Sequence, residues 1–239
     1  FHIKAPLLVL VCGTACVGKS VIATQLSERL NFSHVIQTDI LLDLIKDQGY
    51  TASEKPLHPT PLWERDLAGP QLLAEYGREC AALRQGLDCI IEKCHTEGKA
   101  MVLEGTHLDP AAFLAEDGLQ PLGAPPRDPL PRGRQRPLLV PIVLEMAEVD
   151  HREMIRDWSK ACTETTDAVF ERLRTMQDYL LQFEAKGCVN VEVRLDSVSD
   201  TIDAVHEFLL SCLEKALKNN GMKRISSAND LRTERTADL

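Results

Sequence analysis

The chain has 239 residues, 44% hydrophobic and 26% charged, enough to bury the core of one α/β domain but not of two full ones. A net charge of −9 argues against a surface that gathers nucleic acid or anionic lipid through bulk charge. No apolar run approaches the roughly 20 residues of a membrane-spanning helix, so a soluble, cytoplasmic protein is expected.

Residues 7–12 form a continuous apolar run, the pattern of a parallel strand covered on both faces. The run leads into Gly13, Thr14, Ala15, Cys16, Val17, Gly18, Lys19 and Ser20, an ungapped match to G-x-x-x-x-G-K-[ST]. Glycines at both ends let successive N–H groups turn inward into a nest for phosphate oxygens. Lys19 supplies a point charge for the β- and γ-phosphates, and Ser20 a hydroxyl for Mg²⁺. Val21 opens the following helix, whose N-terminus adds positive dipole. Ile22, Leu26 and Leu30 continue that helix at helical spacing. The stretch is expected to bind ATP.

A second strand over residues 34–36 ends near Asp39, which reads either as the cap of a short helix or as a carboxylate facing the γ-phosphate. In the second role it would accept the acceptor's proton or hold Mg²⁺ through water. Residues 50–69, with Pro56, Pro59 and Pro61, read as an irregular, substrate-facing loop. Leu73, Tyr76, Cys80, Leu83, Leu87, Ile90 and Cys94 then mark one long helix with possible bends at Gly77 and Gly86.

A third strand over 100–103 ends in Glu104, Gly105, Thr106 and His107. An acidic residue there is a candidate to position Mg²⁺ or its waters, and His107 is a candidate structural histidine. Residues 116–137, dense in Pro, Gly and Arg, read as an exposed or disordered insertion bearing Arg127, Arg132, Arg134 and Arg136. The run over 138–144 is a fourth strand, and Pro141 suggests an edge or strand end. A charged, lid-like helix spans about 147–165. Its His151, Arg152, Arg156 and Lys160 offer cations for a transferring phosphoryl group.

Asp167 is expected to cap the next helix, in which Phe170, Leu173, Met176, Leu180 and Phe183 point inward and Arg174 shares another face with Gln177. A fifth strand over 189–193 and a helix marked by Ile202, Val205, Leu209 and Cys212 complete the domain, 1–218, ahead of a polar tail, 219–239. The eight cysteines form no C-x-x-C pair and read as reduced thiols; Cys89, Cys94 and His95 make only an incomplete metal site. Oxidation of Cys16 would block the phosphate loop.

The order of elements is that of a P-loop NTPase: a three-layer α/β sandwich, nucleoside-kinase-like, with a parallel sheet of about five strands and helices on both faces. GTACVGKSVIATQLSERL, then QTD, then EGTHL, then LRTMQDYL resembles the 2-phosphoglycerate kinase family, which includes plant low-phytic-acid P-loop proteins. The resemblance implies phosphoryl transfer from ATP, with Mg²⁺, to the hydroxyl of a small phosphorylated acid, with Arg174 as an anion contact. Leu42 and Lys46 stand where it places two arginines after the Asp, and Met154 and Trp158 where it places two in the lid. A degenerate nucleotide-binding regulatory module and a polynucleotide or nucleotide-sugar kinase remain the alternatives, with no nucleic-acid partner expected from the charge.

Overall fold

In a computed structural model the described residues are 6–32, 34–49, 56–116, 118–121, 124, 136–158 and 165–219, the last four by backbone alone. The polar tail, Lys160, Cys162 and most of the 116–137 insertion, with Arg127, Arg132 and Arg134, lie outside them.

Strand β1 (Leu7–Cys12) is buried along its whole length. Successive side chains point to opposite faces of a strand, so Leu8, Leu10 and Cys12 enter one core and Leu7, Val9 and Val11 the other. β3 (Met101–Gly105) and β5 (Leu138–Glu145) flank β1, with β2 (Val35–Gln37) outside β3. Both β4 (Gln120–Pro121) and β6 (Val189–Glu192) pair with the far side of β5. Every pairing is parallel.

Helices α1 (Lys19–Leu30) and α8 (Val198–Asn219) cover one face through Ile22, Leu26, Val205 and Leu209. On the other face lie α2 (Thr38–Asp47), α3 (Gly69–Gly86), α4 (Asp88–Glu97), α5 (Pro110–Leu114), α6 (Glu148–Trp158) and α7 (Thr166–Leu181). The result is the expected three-layer sandwich. Among the described residues no helix is long and apolar enough to cross a membrane.

The structure corrects several local expectations. Among the described residues the sheet has six strands where about five were expected, because the start of the insertion adds the short strand β4. Pro141 lies in an interior strand, not at an edge. Leu138 N–H donates to Pro6 O on the β1 side, so by alternation the Pro141 nitrogen faces the opposite side. There β4 ends opposite Leu139 and β6 begins opposite Ile142, so the missing donor falls in the gap between two short strands.

The long helix over 70–98 is two helices that meet at Leu87. Gly86 sits so close to α2 that a Cβ would come within 2.8 Å of Ile45 Cδ1. The buried stripe of α3 runs through Leu72 rather than Leu73. Neither aspartate is an N-cap: α2 begins at Thr38 with Asp39 already in its first turn, and Thr165 caps α7 by accepting from Ala168 N–H at 3.3 Å.

Candidate active site

The carboxyl ends of β1, β2 and β3 converge on one cleft of about 350 Å³. In an open parallel sheet this is where ligands bind, because the loops that leave the strands diverge there. Three short segments carry its polar groups at the strand ends: the loop after β1, the β2–α2 junction and the β3–α5 connection.

The first is residues 13–18. Gly13 (φ 150°), Cys16 (φ 67°) and Gly18 (φ 83°) all have positive φ, which curls the backbone into a nest ahead of α1. Space as well as conformation requires glycine at 13, since a Cβ would lie 2.9 Å from Val17 Cγ2 and 3.0 Å from Leu144 O. Lys19 is nearly buried and its ammonium donates to Thr14 O at 2.8 Å, folded back over the loop. Two further contacts brace the loop from below. Thr14 Oγ1 donates to Gln177 Oε1 (3.1 Å), whose amide donates to Leu144 O (3.0 Å), and His151 Nε2 lies 2.9 Å from Ala15 O. Burial pushes the His151 imidazole below its ordinary pKa, toward the neutral form that fits a site already holding Lys19.

The second and third segments cross at Gly105. Thr38 Oγ1 donates to Glu104 O at 3.0 Å, while the Thr106 N–H donates to Asp39 Oδ1 at 2.8 Å and the Thr106 hydroxyl to Oδ2 at 3.3 Å. Asp39 is thereby aimed into the cleft. Ser20 Oγ donates to Glu104 Oε1 at 2.9 Å. Burial raises the Glu104 carboxyl above its ordinary range, against the opposing effects of the Ser20 hydrogen bond and Lys19. The loop cradle, in which a Cβ would fill the turn, fits polyphosphate. A hydroxyl and a carboxylate side by side, with Asp39 on the neighbouring strand end, fit a Mg²⁺ that keeps its waters and phosphate ligands.

Behind the cleft lies a buried charge cluster that sequence reasoning did not find. Glu79, fully buried on α3, accepts from Arg65 Nη2, while Lys46 Nζ and His107 Nε2 each stand 3.0 Å from its Oε2 without hydrogen-bond alignment. Burial alone would raise the Glu79 carboxyl, but the approach of His107 and the charges of Lys46 and Arg65 hold it down at about 2. One signal was available: Glu79 sits between Tyr76 and Leu83 on the apolar stripe of α3. A charge on a core stripe requires a partner. Arg65 also donates to Thr60 O (2.8 Å), and Arg172 to Trp63 O (3.1 Å) and Leu67 O (3.2 Å), so two arginines shape the proline-rich loop into a wall.

The structure brings Ala15, Cys16, Lys19 and Asp39 to the cleft, together with Leu42, Asp43, Lys46, Pro61, Trp63, Thr106, His107 and Trp158. Arg152, Arg156 and Arg174, expected to act there, are not among the described residues that line it. Arg152 pairs with Asp167 at 2.5 Å and covers the Phe170 ring, and with Arg156 it lines a separate surface depression. Arg174 donates to Met146 O at 2.9 Å. Cys94, of the incomplete metal site, is buried against Lys99 O, and burial pushes its thiol up to about 12.

Fold and loop define the class: a three-layer α/β sandwich with a phosphate loop after its first strand. Similar architecture occurs in a putative kinase from Chloroflexus aurantiacus (13% identity, TM-score 0.50, covering 87% of this chain and 98% of that one). It occurs also in TT1252 from Thermus thermophilus (14% identity, TM-score 0.51, 87% and 97%). No family model matches the chain. In sequence it is similar to curated proteins named 2-phosphoglycerate kinase. The relative from Pyrococcus horikoshii is 25% identical over 224 residues, 92% of this chain and 69% of that protein. The one from Methanocaldococcus jannaschii is 30% identical over 115 residues, 45% of this chain. That match spans about a third of the relative's length, 36%, and the match to the Methanothermobacter thermautotrophicus protein spans 39%.

Proposed function

We propose that the protein is an ATP-dependent phosphotransferase acting on a hydroxyl of a small metabolite. The observation that carries this is the convergence of the phosphate loop and the Asp39 carboxylate on one cleft. In this reading the nest of residues 13–18 and Lys19 hold the triphosphate, and Lys19 faces the charge that develops on the transferring group. Ser20 and Glu104, with Asp39, would hold Mg²⁺, which supplies charge neutralisation between β- and γ-phosphates. Asp39, fixed by Thr106, orients the acceptor hydroxyl and takes its proton as the new O–P bond forms and ADP departs. The name of the relatives makes 2-phosphoglycerate the reference acceptor for the assay.

The test is transfer of label from γ-labelled ATP, with Mg²⁺, to a panel of hydroxyl acceptors that includes 2-phosphoglycerate. Lys19→Ala is expected to abolish label transfer; unchanged turnover in the purified variant would reject the assignment. A nucleotide-binding module without transfer is the second reading, favoured by one observation: among the described residues lining the cleft there is no arginine. Bound nucleotide with no labelled acceptor would support it.

A further inference from the structure

We infer that the acceptor half of this cleft takes a hydroxylated ring of low net charge, laid with its C–H face against Trp63 and Trp158, in preference to a short acyclic polyanion. The inference rests on the kinase reading and narrows its substrate.

The chain contains two tryptophans, and both line this cleft although they come from distant elements. Trp63 lies in the 3₁₀ turn Leu62–Glu64 and Trp158 at the end of α6; their ring centroids are 5.6 Å apart at an interplanar angle of 57°. The wall is preorganised. Arg172 holds the Trp63 carbonyl, Leu62 beside it is fully buried, and the His107 ring lies 6.5 Å from the Trp63 ring. An apolar corner of two tilted rings, held at Trp63 before binding, rewards a ligand that brings an apolar face, because little ordering cost remains to be met at that ring.

The charges point the same way. Among the described residues lining the cleft, the basic side chains besides His107 are Lys19 and Lys46. Lys19 belongs to the phosphate loop, and Lys46 stands 3.0 Å from the buried Glu79 carboxylate. Asp39 and Asp43 add two carboxylates to the same walls. A phosphate and a carboxylate on one small acceptor would bring about three negative charges, which calls for several arginine-type donors at once. Carboxylates and an imidazole are instead good partners for hydroxyl groups. A polyol ring meets both the apolar wall and the acceptor-rich rim. A free sugar, a cyclic polyol and the ribose of a nucleoside share that chemistry.

The test combines label transfer with tryptophan fluorescence, excited so as to spare the three tyrosines; both tryptophans line this cleft. Full-length protein would be saturated with Mg²⁺ and nucleotide, then titrated with a hexose, a cyclohexane polyol, uridine and 2-phosphoglycerate. We expect a saturable fluorescence change and label on a ring compound, and the labelled ring identifies which of the three sources applies. Trp63→Leu is expected to raise the KM for that acceptor about tenfold, the equivalent of one lost aromatic contact, with nucleotide affinity unchanged. Trp158→Leu, at a residue 41% exposed, gives the same readout should the first variant not fold. Label confined to 2-phosphoglycerate, or a ring acceptor whose KM is indifferent to both variants, would overturn the inference and leave the kinase reading standing. No label on any acceptor, or failure of the wild-type chain to bind nucleotide, would overturn the kinase reading and the inference with it.

Discussion

Asp39 owes its direction to a neighbour without a side chain. At Gly105 a Cβ would lie 2.0 Å from Thr38 Oγ1 and 3.0 Å from Asp39 Oδ1, so no other residue lets the β2–α2 junction pass so close to β3. Gly105→Ala should therefore displace Thr38 and turn the Asp39 carboxylate away while leaving the phosphate loop intact. We expect a fall in kcat of about a hundredfold, the scale seen when one positioned group is lost, with nucleotide affinity changed less than threefold. Steady-state kinetics beside a nucleotide titration checks it; equal losses in both would make Gly105 a packing residue only. The places of Glu104 near the end of β3 and of Asp39 just beyond β2 were legible in the sequence, because each follows an apolar run. That Thr106 fixes Asp39 was not, since the two residues meet only through the parallel pairing of β2 with β3.

Among the elements, the Glu79 cluster ties α2 through Lys46, the proline-rich loop through Arg65 and the β3–α5 connection through His107 to the middle of α3. A carboxyl held at about 2 in the folded chain and near 4.5 when unfolded contributes stability that is complete above about pH 5. It is lost as the pH falls from 4.5 toward 2. The difference corresponds to about 3 kcal/mol. Glu79→Gln should cost about 3–5 kcal/mol at pH 7, because it leaves Lys46 buried without its counter-charge and Arg65 with only the Glu75 carboxylate at 3.7 Å, and should remove that part of the acid dependence. Urea unfolding of both proteins between pH 7 and 3 measures it; parallel pH profiles would show that another group carries the acid sensitivity. Elements with a clear hydrophobic period were legible from sequence: β1, α1, α7 and α8 lie close to where apolar spacing puts them. The break at Leu87 falls beside Gly86, one of the two bends expected from sequence. The two-residue strand β4 and the placement of Pro141 were not legible, because each depends on the ends of neighbouring strands.

For the molecule as a whole, the cleft lies where two cores meet the phosphate loop, with Ala15 in one and Val17 in the other. The loop is held from both sides: by Gln177 and His151 toward the α7 face, and by Val17 packing toward α1 and α8. A ligand that fills the nest should therefore stabilise both halves of the sandwich together rather than a local loop. Nucleotide with Mg²⁺ at about a hundred times its Kd contributes about 2.7 kcal/mol by mass action. For a chain of this size that raises Tm by about 5–10 °C. A single cooperative transition that moves by this amount, measured by calorimetry, is the expected result, with the shift abolished in Lys19→Ala. Two transitions, of which only one responds to nucleotide, would mean that the cores unfold separately. In that case the loop belongs energetically to one face alone, and the contacts of Gln177 and His151 from the other face contribute little to holding it.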